Sequence, residues 1–339
     1  MRRTCIKYNQ TMDFNFLNPL LDSAIASRLH VVDSAYENSF RLFNGFYEGY
    51  PSLTLDVYAK TLVIHDYSDE PDHDFINKVL DFVTSRLVWL RVGIVKSRNG
   101  KTQQQQNGQL IFGDTPDTKI KEHNILYAID LTINRDASFY LDTRHLRKWL
   151  IDNMQNKTVL NTFAYTGSFG VAAMAGGATN VIQIDKNRQF LNLAKDSYAL
   201  NNFPIRKQDF IAQDFFPAIS RLKTGKQLFD CVILDPPFFS STSKGKVNLE
   251  NDSTRLINKV RPLIKDGGTL ISINNALYLS GKEYMQSLET LCKDGYLSIR
   301  ELIAVPEDYI GYKKIGKPIT DSSPFNHSTK IVVLDVKRK

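Results

Sequence analysis

Thr158-Val-Leu-Asn-Thr-Phe-Ala-Tyr-Thr-Gly167, continued through Ser168 to Asp185 as SFGVAAMAGGATNVIQID, decides the fold. The apolar run Thr158–Thr162 has the length of a fully buried strand and breaks at a turn, Tyr165–Gly167. Small apolar residues then predict a helix over 168–175, and a second apolar run, Asn180–Ile184, ends at Asp185. Strand, tight turn, helix and strand make a βαβ unit, whose crossover sets the two strands parallel. The same rhythm extends outward. A helix over 143–153 precedes it. Helix 189–201, strand 229–234, helix 255–264, strand 268–273 and helix 284–293 follow. Ile331–Val336 is expected to close the series as a strand antiparallel to Ile299–Val305. Alternation of this kind predicts an α/β doubly wound sheet over residues 139–339.

Upstream the pattern is less regular. Residues 36–138 read as a smaller α/β domain: a hairpin at 53–58 and 62–67, a helix over 74–86, a strand over 88–95 and another over 125–131. Ser97–Gly108 (SRNGKTQQQQNG) reads as a polar loop. Residues 1–35 form a helical lead, with Asn18 as N-cap and Pro19 at the first helical position.

Composition bounds the function classes. The 339 residues make room for about two domains. With 42% hydrophobic and 23% charged residues, a wholly disordered or fibrous chain is excluded. The net charge of +7 permits a polyanionic partner without requiring one. Cys5, Cys231 and Cys292 are far apart, which suits a reducing compartment. No C-x-x-C pair or His cluster offers metal-ligand spacing, so no metal is expected. Thr4–Asp13 is too polar for a signal peptide, and no run approaches 18 apolar residues. A cytoplasmic protein without a membrane partner is expected, and a homodimer is compatible with this reading.

Ligands of open parallel sheets sit at the carboxyl ends of the strands. The loop after Thr162 holds Gly167 and Gly170 but neither G-x-G-x-x-G nor a P-loop lysine, so it lacks a phosphate cradle. Asp185 follows where an acidic side chain accepts from a ribose diol. Asp214-Phe215, at the next strand end, offers a carboxylate for an adenine amino group and a ring to pack on it; Asp214 also suits a helix cap. An adenosine-containing ligand with a sulfonium, S-adenosylmethionine, fits this set. Asp235-Pro-Pro-Phe238 directly follows an apolar strand. Pro236 and Pro237 fix a rigid turn, Asp235 can accept from a base N–H, and Phe238 offers a stacking face.

Together these residues resemble the Rossmann-like class I S-adenosylmethionine-dependent methyltransferases. More narrowly, they are similar to the 23S ribosomal RNA methyltransferases acting on cytosine C5 or guanine N7. The resemblance runs from about Phe40 onward and includes Phe43-Asn-Gly45 and Asn134-Arg-Asp-Ala-Ser-Phe-Tyr-Leu-Asp-Thr-Arg144. It implies that Phe139, Tyr140, Asp142 and Arg144 border the cofactor, with Arg144 toward its carboxylate. Thr162, Phe163, Tyr165 and Gly167 would wrap its methionine portion, Asp185 its ribose, and Asp214 and Phe215 its adenine. Cytosine-C5 members place a nucleophilic Cys after the strand at 268–273, because C5 is activated by thiolate addition at C6. Here the segment is Ser272-Ile-Asn-Asn-Ala276, and Asn274 and Asn275 resemble the guanine-N7 branch.

These residues give the expected function: an S-adenosylmethionine-dependent methyltransferase acting on a base nitrogen, guanine first, of ribosomal RNA. The alternatives are a small-molecule or protein side-chain acceptor, or a catalytically decayed RNA-binding protein. A basic channel built from Lys244, Lys246, Arg255, Lys259, Arg261, Lys313, Lys314 and Lys317 would favour RNA.

Overall fold

The computed structural model describes residues 13–237, 239–242 and 245–338. Its contacts gather into two units. One holds the chain up to Leu141 plus Pro306–Pro318. The other holds Asp142–Val305 and the chain from Ile319 onward.

The first unit begins with α1 (Phe14–Arg28), capped by Asp13, whose Oδ1 accepts from Asn15 N at 2.9 Å. This cap precedes the expected one at Asn18, so Pro19 lies inside the helix. Then come β1 (Ser39–Asn44), α2 (Gly45–Glu48), β2 (Leu53–Tyr58), β3 (Thr61–Asp66), α3 (His73–Arg86), β4 (Val92–Ser97), α4 (Gln103–Asn107) and β5 (Gln109–Phe112). The five strands order as β1-β2-β3-β4-β5. At alternate positions Leu53, Leu55 and Val57 of β2 and Leu62 and Ile64 of β3 enter one core with Leu17 and Leu21 of α1 and Val79 and Val83 of α3. Each such side chain contributes roughly 1.5–3 kcal/mol. Thus the lead helix shares the core of the small sheet.

Two expectations change here. β4 starts at Val92, not Val88, because Leu90 N bonds back to Leu87 O and turns the chain first. The polar loop contains α4, closed by a capping box in which Thr102 and Gln105 bond each other's backbone. A small hairpin, β6 (Lys119–Glu122) and β7 (Ile125–Ala128), completes this stretch and ends short of the expected Leu131.

The second unit runs α5 (Arg144–Asn153), β8 (Thr158–Thr162), α6 (Ser168–Ala175), β9 (Asn180–Asp185), α7 (Arg188–Leu200), β10 (Phe210–Ala212), α8 (Phe215–Thr224) and β11 (Phe229–Leu234). It continues with the hairpin β12 (Phe239–Thr242) and β13 (Gly245–Asn248), then α9 (Leu249–Val260), β14 (Ile264–Asn274), α10 (Gly281–Cys292) and β15 (Leu297–Ile303). After α11 (Glu307–Ile310) of the first unit, β16 (Lys330–Val336) closes the sheet. The seven strands order as β10-β9-β8-β11-β14-β16-β15, parallel except for β16, which runs antiparallel to both neighbours.

Alternation along the strands explains two cores. Val232 and Leu234 enter one with Phe215, Leu256 and Leu334, while Cys231 and Ile233 enter the other with Leu146, Phe169 and Val333. A sheet buried on both faces reads as continuous apolar runs, which is why 231–234 and 331–336 were legible. The chain leaves β8 toward β9 on one side and reaches β11 on the other, so the switch point lies between β8 and β11. No helix among the described residues is long and apolar enough to cross a membrane.

Candidate active site

Pairing in the sheet lines up the strand ends. Thr162 stands opposite Ile184 on one side and Leu234 on the other, so Phe163, Asp185 and Asp235 leave the sheet side by side. Thr162 itself is buried, its Oγ1 donating to Ile233 O at 2.8 Å, and it ties β8 to β11.

The loop after β8 is tightly constrained. Phe163, Tyr165 and Gly167 take left-handed conformations, with φ of 54°, 50° and 77°. For the two non-glycine residues this costs about 1 kcal/mol each, a strain that persists where surrounding bonds fix it. Ala164 N donates to Ile184 O at 2.8 Å, Tyr165 N to Asp185 Oδ2 at 2.9 Å and Gly167 N to Ala164 O at 2.8 Å. Gly167 admits no side chain: a Cβ would stand 2.5 Å from Ala194 Cβ. Phe163 lies half-buried and stacks on Phe215 at 4.6 Å, while Tyr165 meets Phe190 edge-on at 4.6 Å.

Asp185 takes two backbone bonds, from Tyr165 N and from Asn187 N at 2.8 Å, yet burial still holds its pKa above the usual value. Each oxygen retains accepting capacity, as a ribose diol requires. Asp214 is the N-cap of α8, its Oδ1 accepting from Phe216 N at 3.1 Å. Phe215 is core, backing Phe163, so the ring nearer the loop surface is Phe163. Beside them Gln213 N donates to Asp185 O at 3.0 Å, and Gln213 Oε1 is buried without a protein partner.

At the end of β11, burial pushes the Asp235 carboxyl up to about 7, and the negative Asp142 nearby adds to the shift. Asp142 is held by Thr329, whose Oγ1 donates to its Oδ2 at 2.8 Å. Pro236 is buried and Pro237 exposed; Phe238 lies outside the described residues. Arg144 is half-buried at the first position of α5.

The Asn pair divides. Asn274 is fully buried, its Nδ2 donating to Ser253 Oγ at 2.8 Å and its Oδ1 accepting from Ala276 N at 2.9 Å, so it shapes the turn. Asn275 is exposed, as are Leu277 and Tyr278 directly after it. Lys330, buried opposite Asn274, donates to Ala276 O at 3.0 Å and fixes the same turn. Phe139 and Tyr140 belong to the first unit. The Phe139 ring is core, packed on Tyr127 at 5.0 Å; Tyr140 is exposed, its hydroxyl donating to Asp136 Oδ2 at 3.1 Å. The Phe139 ring and the Asn274 side chain are thus both buried among protein contacts.

Sequence reasoning missed Thr329, Gln213 and Tyr278. Thr329 and Gln213 carry no motif, since their roles depend on strands distant in sequence. Tyr278 left a trace: an aromatic in the short run Ala276-Leu-Tyr-Leu279, four residues past a strand end. The expected basic channel is also redistributed. Arg261 pairs with Asp294 at 3.1 Å, Lys313, Lys314 and Lys317 belong to the first unit, Lys244 lies outside the described residues and so does the Lys246 side chain. Arg255 and Lys259 remain together, with Lys223.

No group of three His, Cys, Asp or Glu side chains that could hold a metal occurs among the described residues. Cys231 is buried inside β11, its thiol pushed up to about 12 by desolvation, and Cys292 ends α10; neither stands at the strand ends. Cys5 lies outside the described residues. Among the described residues the strand ends thus offer four carboxylates, Asp142, Asp185, Asp214 and Asp235, and the unpartnered amide oxygen of Gln213, with Arg144 at the start of α5. This donor set fits a nucleoside carrying a positive charge and a carboxylate, and lacks a cradle for a pyrophosphate.

Residues 73–307 match the family model described as S-adenosylmethionine-dependent methyltransferase. The chain is 28% identical over 280 residues to ribosomal RNA large subunit methyltransferase I of Alteromonas mediterranea, covering 81% of this chain and 70% of that one. It is 30% identical over 237 residues to the enzyme of the same name from Aeromonas salmonicida, covering 69% and 60%. Among solved structures, SMU.776 in complex with SAH superposes with a TM-score of 0.83 at 20% identity, covering 96% of this chain and 83% of that one.

Proposed function

The chain belongs to the S-adenosylmethionine-dependent methyltransferases, and on that premise we propose that it methylates a base nitrogen of ribosomal RNA, guanine first. The observation that carries the proposal is Asp235: a carboxyl poised at about 7 at the end of β11, with no thiol at the strand ends of the described residues. Thiolate addition, which carbon methylation of cytosine requires, has no nucleophile there. The names of the similar proteins, ribosomal RNA large subunit methyltransferases, support RNA as the acceptor.

S-adenosylmethionine, when bound, supplies a methyl group on a positively charged sulfur. The residues of the chain hold and align. Asp185 accepts from the ribose hydroxyls, Gln213 Oε1 and the free oxygen of Asp214 take the adenine amino group, and Phe163, backed by Phe215, covers the ring. Arg144 pairs with the amino-acid carboxylate. Asp235 as carboxylate accepts from an N–H on the edge of the acceptor base, turning the target nitrogen in line with the methyl carbon. Asn275 adds a donor and an acceptor, and Tyr278 offers a stacking face. Alignment of this kind supplies most of the acceleration in a transfer that needs little acid–base help.

Mass mapping of ribosomal RNA nucleosides, with and without the protein, tests the reading. A methylated guanine lost with the protein is the expected result. Loss of a 5-methylcytosine, or an unchanged RNA, would sink it.

A further inference from the structure

A second cleft opens on the far edge of the seven-stranded sheet, along β10. It has a volume of about 840 Å³, and Arg188 and Lys195 of α7, Lys207 before β10 and Arg221 of α8 converge on it with Phe210 and Gln213. No carboxylate lines it. We infer that this cleft binds the phosphodiester backbone of RNA, tracking the acceptor strand toward the rim where Asp185 and Asp235 stand; the inference rests on the RNA acceptor proposed above.

Three observations support it. The first is the contrast in how cations are partnered. Arg86, Lys148, Arg261 and Lys265 each meet a carboxylate, at Asp22, Asp152, Asp294 and Asp230. Arg188, Lys195, Lys207 and Arg221 make no ion pair among the described residues, and all but the half-buried Lys195 are exposed. Four like charges kept together without counter-charge repel one another and favour an anion. The second is spacing. Arg188, Asn192 and Lys195 lie on one face of α7, and Lys207 before β10 and Arg221 of α8 join them on the cleft, so the charge is spread over three elements rather than gathered at a point. Charge spread in this way matches the repeating charge of a strand better than a single phosphate. The third is continuity. Gln213 lines the cleft and its backbone N donates to Asp185 O at 3.0 Å, so the cleft adjoins the rim. Lys195 lies over the Phe210 ring at 5.4 Å and donates to Asn192 Oδ1 at 3.2 Å, both of which line the cleft.

For single strands, each phosphate neutralised contributes roughly −0.7 to the slope of log affinity against log salt. The test is fluorescence anisotropy with a labelled 20-nucleotide single-stranded oligoribonucleotide over a range of potassium chloride. Arg188→Gln/Lys195→Gln/Lys207→Gln should lose about two units of slope and bind at least tenfold more weakly at low salt. SAH affinity by calorimetry should stay within twofold, which also reports an intact fold. A control of equal charge loss, Arg86→Gln/Lys148→Gln/Arg261→Gln, should keep the wild-type slope. If triple variant and control behave alike, the cleft inference is overturned and the acceptor reading stands. If the wild type binds no RNA at any salt, both fall.

Discussion

Asp235 carries two consequences of opposite sign. In the unfolded chain its carboxyl ionises near 4, as an ordinary Asp does. In the fold it resists ionisation until about 7. Folding is therefore favoured below pH 4 by this group, and that contribution is lost as pH rises to 7. Asp235→Asn should melt higher than the wild type at pH 8 and at the same temperature at pH 4, measured by calorimetry. The same variant should lose methyl transfer by at least about 100-fold, while wild-type turnover should climb with pH to a plateau above 7. A turnover that falls over that range would assign the active form to the protonated acid. The two asparagines separate just as cleanly. Asn274→Ala strands Ala276 N and Ser253 and should cost roughly 1–3 kcal/mol of stability. Asn275→Ala should leave stability unchanged and raise KM for RNA. Composition and motif made Asp235 legible because two prolines announce a fixed turn. They could not tell Asn274 from Asn275, since inward and outward positions exchange with a one-residue shift at a strand end.

The loop from Phe163 to Gly167 is the element that joins the fold to the chemistry. Its left-handed residues and its bonds to Ile184 and Asp185 make it a preset cradle rather than a closing lid. Gly167→Ala would meet both an unfavourable φ and the Ala194 methyl, at a cost of roughly 2 kcal/mol. The readout is a lower melting temperature together with SAH affinity weakened more than tenfold. On the turn after β14, Tyr278→Ala should reduce kcat/KM for RNA by about 10- to 100-fold, the worth of one stacking platform, with SAH affinity unaltered. Helix interiors and buried strands were readable here because apolar residues recur at their own periods. Boundaries were less so. The capping boxes at Thr102–Gln105 and Ser280–Glu283 were both present in the sequence, and recognising them would have placed α4 and moved the start of α10 from Tyr284 to Gly281.

At the scale of the whole chain, SAH at 100 times its Kd should stabilise the protein by about 2.7 kcal/mol, seen as a concentration-dependent rise in melting temperature. The parallel core of the second unit was legible from alternation of strand and helix. The make-up of the first was not, because segments distant in sequence complete it. Arg28, fully buried, donates to Glu48 and also to Asp308 O at 2.9 Å; Arg41 sits over Tyr309 at 4.0 Å; Ile315 N bonds Tyr47 O at 2.7 Å. Pro306–Pro318 is thus part of a unit begun about three hundred residues earlier. On the ribosome, then, the first unit to emerge is not the first to be finished. Arg28 and Arg41 find Glu48 and Asp56 early, but a fragment ending at Leu141 lacks the Asp308 carbonyl that completes the Arg28 bonds and the Tyr309 ring beneath Arg41. Separating the two units calls for a rejoined chain, with 306–318 spliced behind 141, and no single cut provides it.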